Sequence, residues 1–217
     1  MSDFNDAENN TYNQPMSGNQ MPRFAGPASF FRLPVQASAA GLDVALIGMP
    51  VDIGTSNRSG ARFGPREIRA ESVLIRPYGM ATRAAPFDSF QIADIGDVAV
   101  NPYNLLKTVA AIEAAIDEVM AAGAIPVSVG GDHTCTLPVL RAIAKTKGPV
   151  ALVHIDAHAD INDEMFGEKI AHGTVFRRAI EEGLIDTSKM FQIGLRATGY
   201  AADDFDWSRD QGATVIT

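Results

Sequence analysis

The sequence predicts an α/β protein in which a mainly parallel sheet lies between two layers of helices. Short, near-continuous apolar runs alternate with helical segments along the chain, and these runs lack the in/out alternation of strands that face solvent on one side. Alternating strands and helices are typical of a parallel sheet with helices on both faces. A chain of 217 residues is also long enough to bury a large core.

Six apolar runs are predicted as strands. In chain order they are Asp43–Met49, Gln91–Ile95, Ile125–Val129, Val150–Ile155, Met190–Leu195 and Ala213–Ile216. The clearest helix is Asn104–Ala122, because its apolar residues recur every three or four positions and Gly123 follows as a stop signal. Further helices are predicted at Pro65–Ser72, Thr136–Lys145, Gly173–Glu182 and Asp203–Gln211.

Composition and charge exclude several classes of partner. The net charge is −8 and no basic run occurs, so neither a nucleic acid nor an anionic membrane is expected. No stretch approaches the roughly 18 uninterrupted apolar residues of a membrane span. The single cysteine, Cys135, cannot form an internal disulfide, and the first 22 residues lack the basic and apolar regions of a secretory signal. We therefore expect a cytoplasmic protein.

The chain divides into an arm and one domain. Residues 1–28 are rich in Asn, Gln, Met, Pro and Ser and show no periodic apolar pattern. We expect a mobile N-terminal arm, or a segment that becomes ordered against a neighbouring subunit. Residues 29–217 contain no further linker or repeat, so they are predicted to form a single domain.

Polar residues follow two of the predicted strands, where a parallel sheet binds its ligands. Gly130-Gly131-Asp132-His133 follows one strand, Asp156-Ala-His158-Ala-Asp160 follows the next, and His172 opens a later helix. All four histidines of the chain fall within this stretch. Such clustering predicts a functional site at this edge of the sheet.

The spacing of Asp156, His158 and Asp160 indicates a metal site. In an extended chain, residues two and four apart point to the same side, so the three side chains would converge on one point that needs a cation. His133 could supply a fourth ligand. A mixed imidazole and carboxylate set favours Mn²⁺, and less exclusively Zn²⁺, Fe²⁺ or Ni²⁺. The surplus of carboxylates suggests two metals that share a bridging aspartate and activate water.

Neighbouring residues have plainer interpretations. Asp132 is interpreted as a turn former or an acceptor that supports a ligand. His154 lies inside the apolar run, so a core histidine or one that supports a ligand is favoured. His172 taken alone is also consistent with a helix cap. Cys135 is interpreted as a small buried helix residue, because no base is spaced to activate it.

Three sequence blocks resemble the ureohydrolases, the arginase and agmatinase family. They are Gly130–His133, His154–Asp160 and His172–Thr174, in that order, and the stretch Ser59–Arg66 also resembles an early signature of the family. The resemblance extends from about Met21 to the end. It implies an arginase-like α/β/α fold, hydrolysis of a guanidino group to urea and an amine, two Mn²⁺ ions bridged by hydroxide, and a homo-oligomer, trimeric or hexameric.

The resemblance also assigns roles by position. It implies that His133 and Asp160 bind one manganese, that His158 binds the other, and that Asp156 bridges them. His172 matches the proton-shuttle histidine, which would protonate the leaving amine. These roles are expectations carried over from the family.

The substrate is expected to contact the arc between Asp160 and His172. In sequence this arc resembles the agmatinases more than the arginases, and it most resembles those that act on 4-guanidinobutyrate. The ammonium of agmatine would need an acid such as Asp163 or Glu164, whereas the carboxylate of guanidinobutyrate would need Asn162, a backbone amide or Lys169. The sequence leaves this choice open.

One part of the family pattern is missing from the sequence. No Asp-x-Asp-x-x-Asp block and no matching downstream glutamate follow His172, so we expect residues 29–217 to be the N-terminal part of a ureohydrolase domain. One alternative is a short, non-catalytic form that binds one metal weakly and serves as an interaction partner. Another is a deacetylase-type metal hydrolase, against which the Gly-Gly-Asp-His and His-Gly-Thr blocks argue. The coding sequence past Thr217 distinguishes the first two hypotheses.

Overall fold

A computed structural model describes residues 11–217 of the chain. These residues divide into two compact units that are interleaved along the sequence. Unit 1 contains the residues up to Pro50, together with Gly60–Ala99 and Glu118–Gly131. Unit 2 contains Val51–Ser59, Val100–Asp117 and Asp132–Thr217. The prediction of one domain with a separate arm stays a prediction.

Unit 1 is built on a three-stranded parallel sheet. Its strands are β1 (Val44–Met49), β2 (Ile92–Asp97) and β3 (Ile125–Gly130), in the order β2-β1-β3. Helix α1 (Gly64–Glu71) begins with Pro65 in its first turn, where proline's fixed φ suits a helix start. Apolar residues cover the sheet in two clusters, which include Phe30, Leu46, Ala45, Ala93 and Val119.

A buried ion pair ties α1 to β2 within unit 1. Arg69 Nε donates to Asp94 Oδ2 at 2.7 Å, and its Nη1 donates to Asp97 Oδ1 at 2.6 Å. The guanidinium also lies 4.2 Å from the centre of the Phe30 ring. Burial alone raises the pKa of Asp94, but the Arg69 guanidinium and the backbone N–H groups of Phe30 and Gly96 outweigh it, so the pKa lies below its usual value.

Unit 2 contains a second three-stranded parallel sheet. Its strands are β4 (Val150–Ile155), β5 (Ile185–Ile193) and β6 (Thr214–Ile216), in the order β4-β5-β6. Helices α3 (Thr136–Lys147), α4 (Val175–Glu181) and α5 (Asp206–Asp210) belong to this unit. Its core includes Leu137, Val175, Phe176, Met190 and Leu195.

Helix α2 (Leu105–Ala121) connects β2 to β3 along the chain. Val109, Ile112, Ile116 and Val119, spaced three or four apart, are all buried. The single apolar stripe expected from the sequence is therefore confirmed. The parallel α/β class is confirmed as well, although the six strands lie in two sheets of three.

Two predicted boundaries are wrong for identifiable reasons. Strand β5 begins at Ile185 rather than Met190, because Ile185 already pairs with Val150 and the polar residues that follow occupy an irregular part of the ladder. Helix α5 begins at Asp206 rather than Asp203. The carboxylate of Asp204 accepts hydrogen bonds from the backbone N–H groups of Tyr200 and Ala201, which holds residues 200–204 in a turn.

The expectation that every strand is covered on both faces is wrong for β3 and β4. Ile125 and Val127 of β3 are exposed, and so are Val153 and Ile155 of β4. Among the described residues, β3 pairs with β1 alone and β4 with β5 alone. Each is an edge strand of its sheet in the described part of the chain, and nothing there covers these apolar side chains.

The described part of the predicted arm makes specific hydrogen bonds within unit 1. Asn13 Nδ2 donates to the Ile92 carbonyl at 3.0 Å, and Gln14 Nε2 donates to the Phe87 carbonyl at 2.6 Å. The first ten residues of the predicted arm lie outside the described residues. Within residues 11–217, no helix has the length and apolar character needed to cross a membrane.

We predict that Asp94→Asn lowers the free energy of unfolding by about 3 kcal/mol, because it leaves buried donors of Arg69 without a charged partner. Denaturant unfolding measures the loss. Since the folded-state pKa of Asp94 is lowered, this stabilisation is present above about pH 4 and disappears as the pH falls through the folded pKa. Asp206→Asn, in an exposed pair with Arg209, is the control and should change stability little. Equal losses in the two variants would contradict the prediction.

Candidate metal centre

His133 and Asp160 form the first contact of the candidate site. His133 Nδ1 lies 2.5 Å from Asp160 Oδ2, although 27 positions separate the two residues along the chain. Asp160 has φ of 51°, a left-handed conformation that aspartate adopts more readily than most residues. Its carbonyl accepts a hydrogen bond from the N–H of Phe176 at 3.1 Å, and the Phe176 ring packs edge-on against His133. The start of α4 therefore supports both side chains.

Asp156, at the end of β4, lies between two imidazoles. Its Oδ1 is 3.4 Å from His158 Nδ1, and its Oδ2 is 3.6 Å from His154 Nε2. The backbone N–H of His158 donates to Asp156 Oδ1 at 2.8 Å. Burial raises the pKa of Asp156, but that N–H and the nearby imidazoles of His154 and His133 outweigh it and lower the pKa overall. The carboxylate is thus held ionised.

The chain from Asp156 to Asp160 is not extended, so the predicted same-side alternation is wrong. Pairing with β5 stops at Ile155 and Ile193, and beyond it the chain bends. The positive φ of Asp160 turns its side chain towards His133. The residues identified by sequence are therefore in contact in two pairs, and a turn rather than a strand brings them there.

His133, His154 and Asp156 surround a position that suits a divalent cation. One ring nitrogen or carboxylate oxygen of each residue lies within 4.8 Å of the other two. Within the described residues, His154 Nε2 is buried and has no hydrogen-bond partner. Imidazole and carboxylate together suit Mn²⁺ and other divalent transition metals. The interpretation of His154 as a core histidine or one that supports a ligand stays a prediction, and burial together with the neighbouring His133 lowers its pKa.

His172 is fixed by the loop around Gly54. Its Nδ1 lies 2.7 Å from the Gly54 carbonyl oxygen, and its backbone N–H donates to the same oxygen at 3.2 Å. Because a carbonyl only accepts, Nδ1 carries a proton. Nε2 lies 3.5 Å from Ser56 Oγ. The arrangement leaves Nε2 as the nitrogen that can exchange a proton.

Asp132 holds the Gly54 loop in place. Its Oδ2 accepts from the Gly54 N–H at 2.9 Å, and its Oδ1 accepts from the Thr134 N–H at 2.8 Å, which caps the turn that carries His133. The interpretation of Asp132 as a turn former is confirmed, and its role in supporting a metal ligand stays a prediction. Cys135 is buried, and burial together with Asp132 raises the pKa of its thiol to about 12. It therefore stays protonated, as expected of a packing residue.

The segment between Asp160 and His172 folds back on itself. Met165 and Glu168 form two backbone hydrogen bonds of 2.9 Å around a tight turn. The N–H of Asn162 donates to the Gly173 carbonyl at 3.0 Å. A side chain at Gly173 would lie 3.1 Å from Asn162 Nδ2 and 2.9 Å from Met165 Sδ. Because Gly173 has no Cβ, the side chain of Asn162 can lie against Gly173, which follows His172 in the chain.

Asp163 is already paired with two cations. Lys169 Nζ and Arg178 Nη2 each donate to its carboxylate at 2.7 Å. Hydrogen bonds from Lys169 and then from Arg178 lower the pKa of Asp163 to about 2. Glu164 lies 3.6 Å from the same lysine. The acidic appearance of this segment is thus largely compensated by its own basic residues.

Sequence reasoning missed three residues that shape the site. Gly54 carries no recognisable signal, because its importance comes from a close approach to Thr134 and Asp132. From the sequence, Arg178 is expected on the exposed face of an amphipathic helix, yet it is buried. Gln192 did leave a signal, since it is a polar residue inside an apolar strand, where it is fully buried.

The model of the arginase family matches residues 42–217. The chain belongs to the arginase family. It is 64% identical over 206 residues to a guanidinobutyrase of Pseudomonas aeruginosa, covering 94% of this chain and 65% of that protein. It is 51% identical to a mitochondrial agmatinase of Gallus gallus, covering 94% of this chain and 60% of that protein.

Solved structures agree with this family membership. The proclavaminate amidinohydrolase of Streptomyces clavuligerus has a TM-score of 0.85 and 40% sequence identity, covering 90% of this chain and 65% of its own. The chain thus spans about 60–65% of the length of these arginase-family relatives. The resemblance inferred from the three motif blocks is confirmed.

We predict that Gly54→Ala lowers the free energy of unfolding by about 2–3 kcal/mol through overpacking. An added Cβ would lie 2.2 Å from Thr134 Oγ1 and 3.1 Å from both carboxylate oxygens of Asp132. Denaturant unfolding measures the effect. Thr134→Ala removes the nearest atom, so the double variant should recover part of the loss. An unchanged stability in Gly54→Ala would show that the loop has room for a side chain.

Proposed function

We propose that the protein is a manganese-dependent ureohydrolase that converts a linear guanidino acid, with 4-guanidinobutyrate as the leading candidate, into urea and an amino acid. The observation that carries this proposal is the grouping of His133, Asp160, Asp156 and His158 at the family's motif positions. In a hydrolase, such a group would bind metal and deliver water to a resonance-stabilised guanidinium.

In this proposal, His133 and Asp160 would hold one manganese and His158 would hold the other. Asp156, whose pKa is lowered and which is flanked by imidazoles, would be shared between them. The manganese ions, when bound, supply positive charge that lowers the pKa of water and polarises the substrate. The contact between His133 and Asp160 holds these two side chains next to each other.

We assign the proton-transfer step to His172. Its Nδ1–H is committed to the Gly54 carbonyl, which fixes the ring and leaves Nε2 free to gain and lose a proton. When the carbon–nitrogen bond breaks, the departing nitrogen needs a proton to leave as a neutral amine. The Gly54 loop therefore acts as the anchor that presents Nε2, with Ser56 beside it.

The two candidate substrates differ in the group at the end away from the guanidino group, which is a carboxylate in 4-guanidinobutyrate and an ammonium in agmatine. An ammonium group needs an uncompensated carboxylate, yet Asp163 already accepts hydrogen bonds from Lys169 and Arg178. A carboxylate group can instead be bound by the amide of Asn162, which lies beside Gly173 and hence next to His172. The 64% identity to a guanidinobutyrase supports the same choice. Agmatine remains the second candidate, supported by the 51% identity to an agmatinase.

Assembly into a homo-oligomer and a cytoplasmic location remain predictions from the sequence and its family resemblance. They do not enter the chemistry proposed for this site. The short, non-catalytic form remains the alternative, and the absence of urea release would favour it.

We predict that the full-length protein, loaded with Mn²⁺, releases urea from 4-guanidinobutyrate with a kcat/KM at least about tenfold higher than from agmatine, a difference of about 1.4 kcal/mol. A colorimetric urea assay measures both rates. Lys169→Met removes one cation from Asp163, so it should shift the ratio towards agmatine. Lys189→Met, an exposed lysine paired with Asp186, is the matched control.

Two outcomes would count against this proposal. A preference for agmatine in the unmodified protein would overturn the assignment of an acid substrate. The absence of urea from either compound, and from other linear guanidino compounds, would overturn the ureohydrolase assignment itself.

A further inference from the structure

A buried chain of polar groups leads from the interior of unit 2 to Asp156. Ser208 Oγ donates to Gln192 Oε1 at 2.8 Å, and Gln192 Nε2 lies 3.2 Å from His154 Nδ1. Gln192 and Ser208 are fully buried, and His154 is 6% exposed. At the other side of the imidazole, His154 Nε2 faces Asp156 Oδ2 at 3.6 Å. Three elements, α5, β5 and β4, contribute to this chain.

The orientation of the Gln192 amide follows from its partners. Its Nε2 lies 2.7 Å from the Ala159 carbonyl oxygen, which can only accept a hydrogen bond. The amide nitrogen must therefore face Ala159 and His154, and the amide oxygen must face Ser208. The two hydrogens of Nε2 serve the Ala159 carbonyl and His154 Nδ1. Gln192 thus presents a donor, not an acceptor, to the imidazole.

The Gln192 amide donor that faces His154 Nδ1 determines which imidazole nitrogen carries the proton. Nδ1 must offer a lone pair to Gln192, and a neutral imidazole has one donor and one acceptor nitrogen, so the proton belongs on Nε2. We propose that His154 is a positioning residue rather than a metal ligand, whose Nε2–H, set by Gln192, is directed at the Asp156 carboxylate and orients it for metal binding.

This assignment gives His154 a different role from that of its neighbours His133 and Asp156, which are proposed as metal ligands. One ring nitrogen of His154 lies among potential ligand atoms, but Nδ1 accepts from Gln192 and a protonated Nε2 has no lone pair for a cation. A buried N–H without a partner costs about 1–3 kcal/mol, and His154 Nε2 has no hydrogen-bond partner in the described structure. Asp156 is the acceptor beside it. At 3.6 Å the contact is electrostatic rather than a full hydrogen bond, and it favours the ionised carboxylate.

The ring of His154 is also fixed by packing. It lies 4.3 Å from the Phe176 ring, measured between centroids, at an interplanar angle of 53°. Phe176 in turn contacts His133. Rotation of the imidazole about its long axis is thus opposed by an aromatic neighbour on one side and by the Gln192 hydrogen bond on the other. The direction of the Nε2–H is determined by both.

The inference rests on the proposed function for the role of Asp156 as a ligand, so its test needs readouts that do not depend on urea. The first is ¹⁵N NMR of the metal-free, full-length protein with labelled histidine, in which His154→Gln identifies the His154 signals. We expect Nε2 to be protonated and Nδ1 to be unprotonated. Gln192→Glu, which places an acceptor at Nδ1, should move the proton to Nδ1. A proton on Nδ1 in the unmodified protein would overturn the inference.

The second readout is Mn²⁺ affinity, measured by equilibrium dialysis. His154→Leu removes the N–H and should weaken binding about ten- to a hundredfold, whereas His154→Gln, whose amide N–H extends to a similar point, should stay within about threefold of the unmodified protein. If His154 were a ligand, both variants would lose binding equally. That result would overturn the inference, as would unchanged binding in His154→Leu.

Ser208→Ala serves as the matched control within the same buried chain. It removes a hydrogen bond to the far side of Gln192 but leaves both amide donors in place, so stability should fall while the His154 proton stays on Nε2. A shift of the proton in this variant would contradict the role given to Gln192. Absence of urea from a protein that shows the expected NMR and dialysis results would remove the proposed function and leave the positioning role intact.

Discussion

Carboxylates and imidazoles share a small volume at the carboxyl end of β4, and the need to compensate their charges governs the surrounding structure. Asp156 and Asp160 both lie there, with His133, His154 and His158 around them. Carboxylates taken from water are costly unless partners or a cation offset the loss. For Asp156, imidazoles and backbone N–H groups outweigh the cost of burial and lower the pKa. The ionised carboxylate and the imidazoles beside it are of the kinds that bind divalent metals.

The supports of this site come from turns more than from regular elements. Asp132 binds Gly54, Gly54 binds His172, and the turn after β4 places Asp160 against His133. These contacts join segments far apart in sequence, so the site is assembled only when unit 2 is folded. Strand β4 and the buried side chain of Gln192 supply the rigid background against which the turns are fixed.

Much of this arrangement was predictable from the sequence. Apolar runs predicted the strands, and the Asp and His residues after them predicted a metal site. The argument from extended geometry failed, because strand pairing ends at Ile155 and the positive φ of Asp160 was not visible in the pattern. Gly54 and Arg178 act through long-range contacts that no local spacing encodes. The compensation of Asp163 by Arg178 is the clearest case, since the two residues lie 15 positions apart and Arg178 belongs to helix α4.

Metal content tests most directly the proposed sharing of two manganese ions by Asp156. The full-length protein would be dialysed against Mn²⁺ and its bound metal counted by mass spectrometry, beside Asp156→Asn and Asp186→Asn, the latter a partly exposed aspartate paired with Lys189. The account predicts about two ions per chain in the unmodified protein and in Asp186→Asn, and fewer than about one in Asp156→Asn, because an amide bridges two cations poorly. Two ions retained by folded Asp156→Asn would contradict the account.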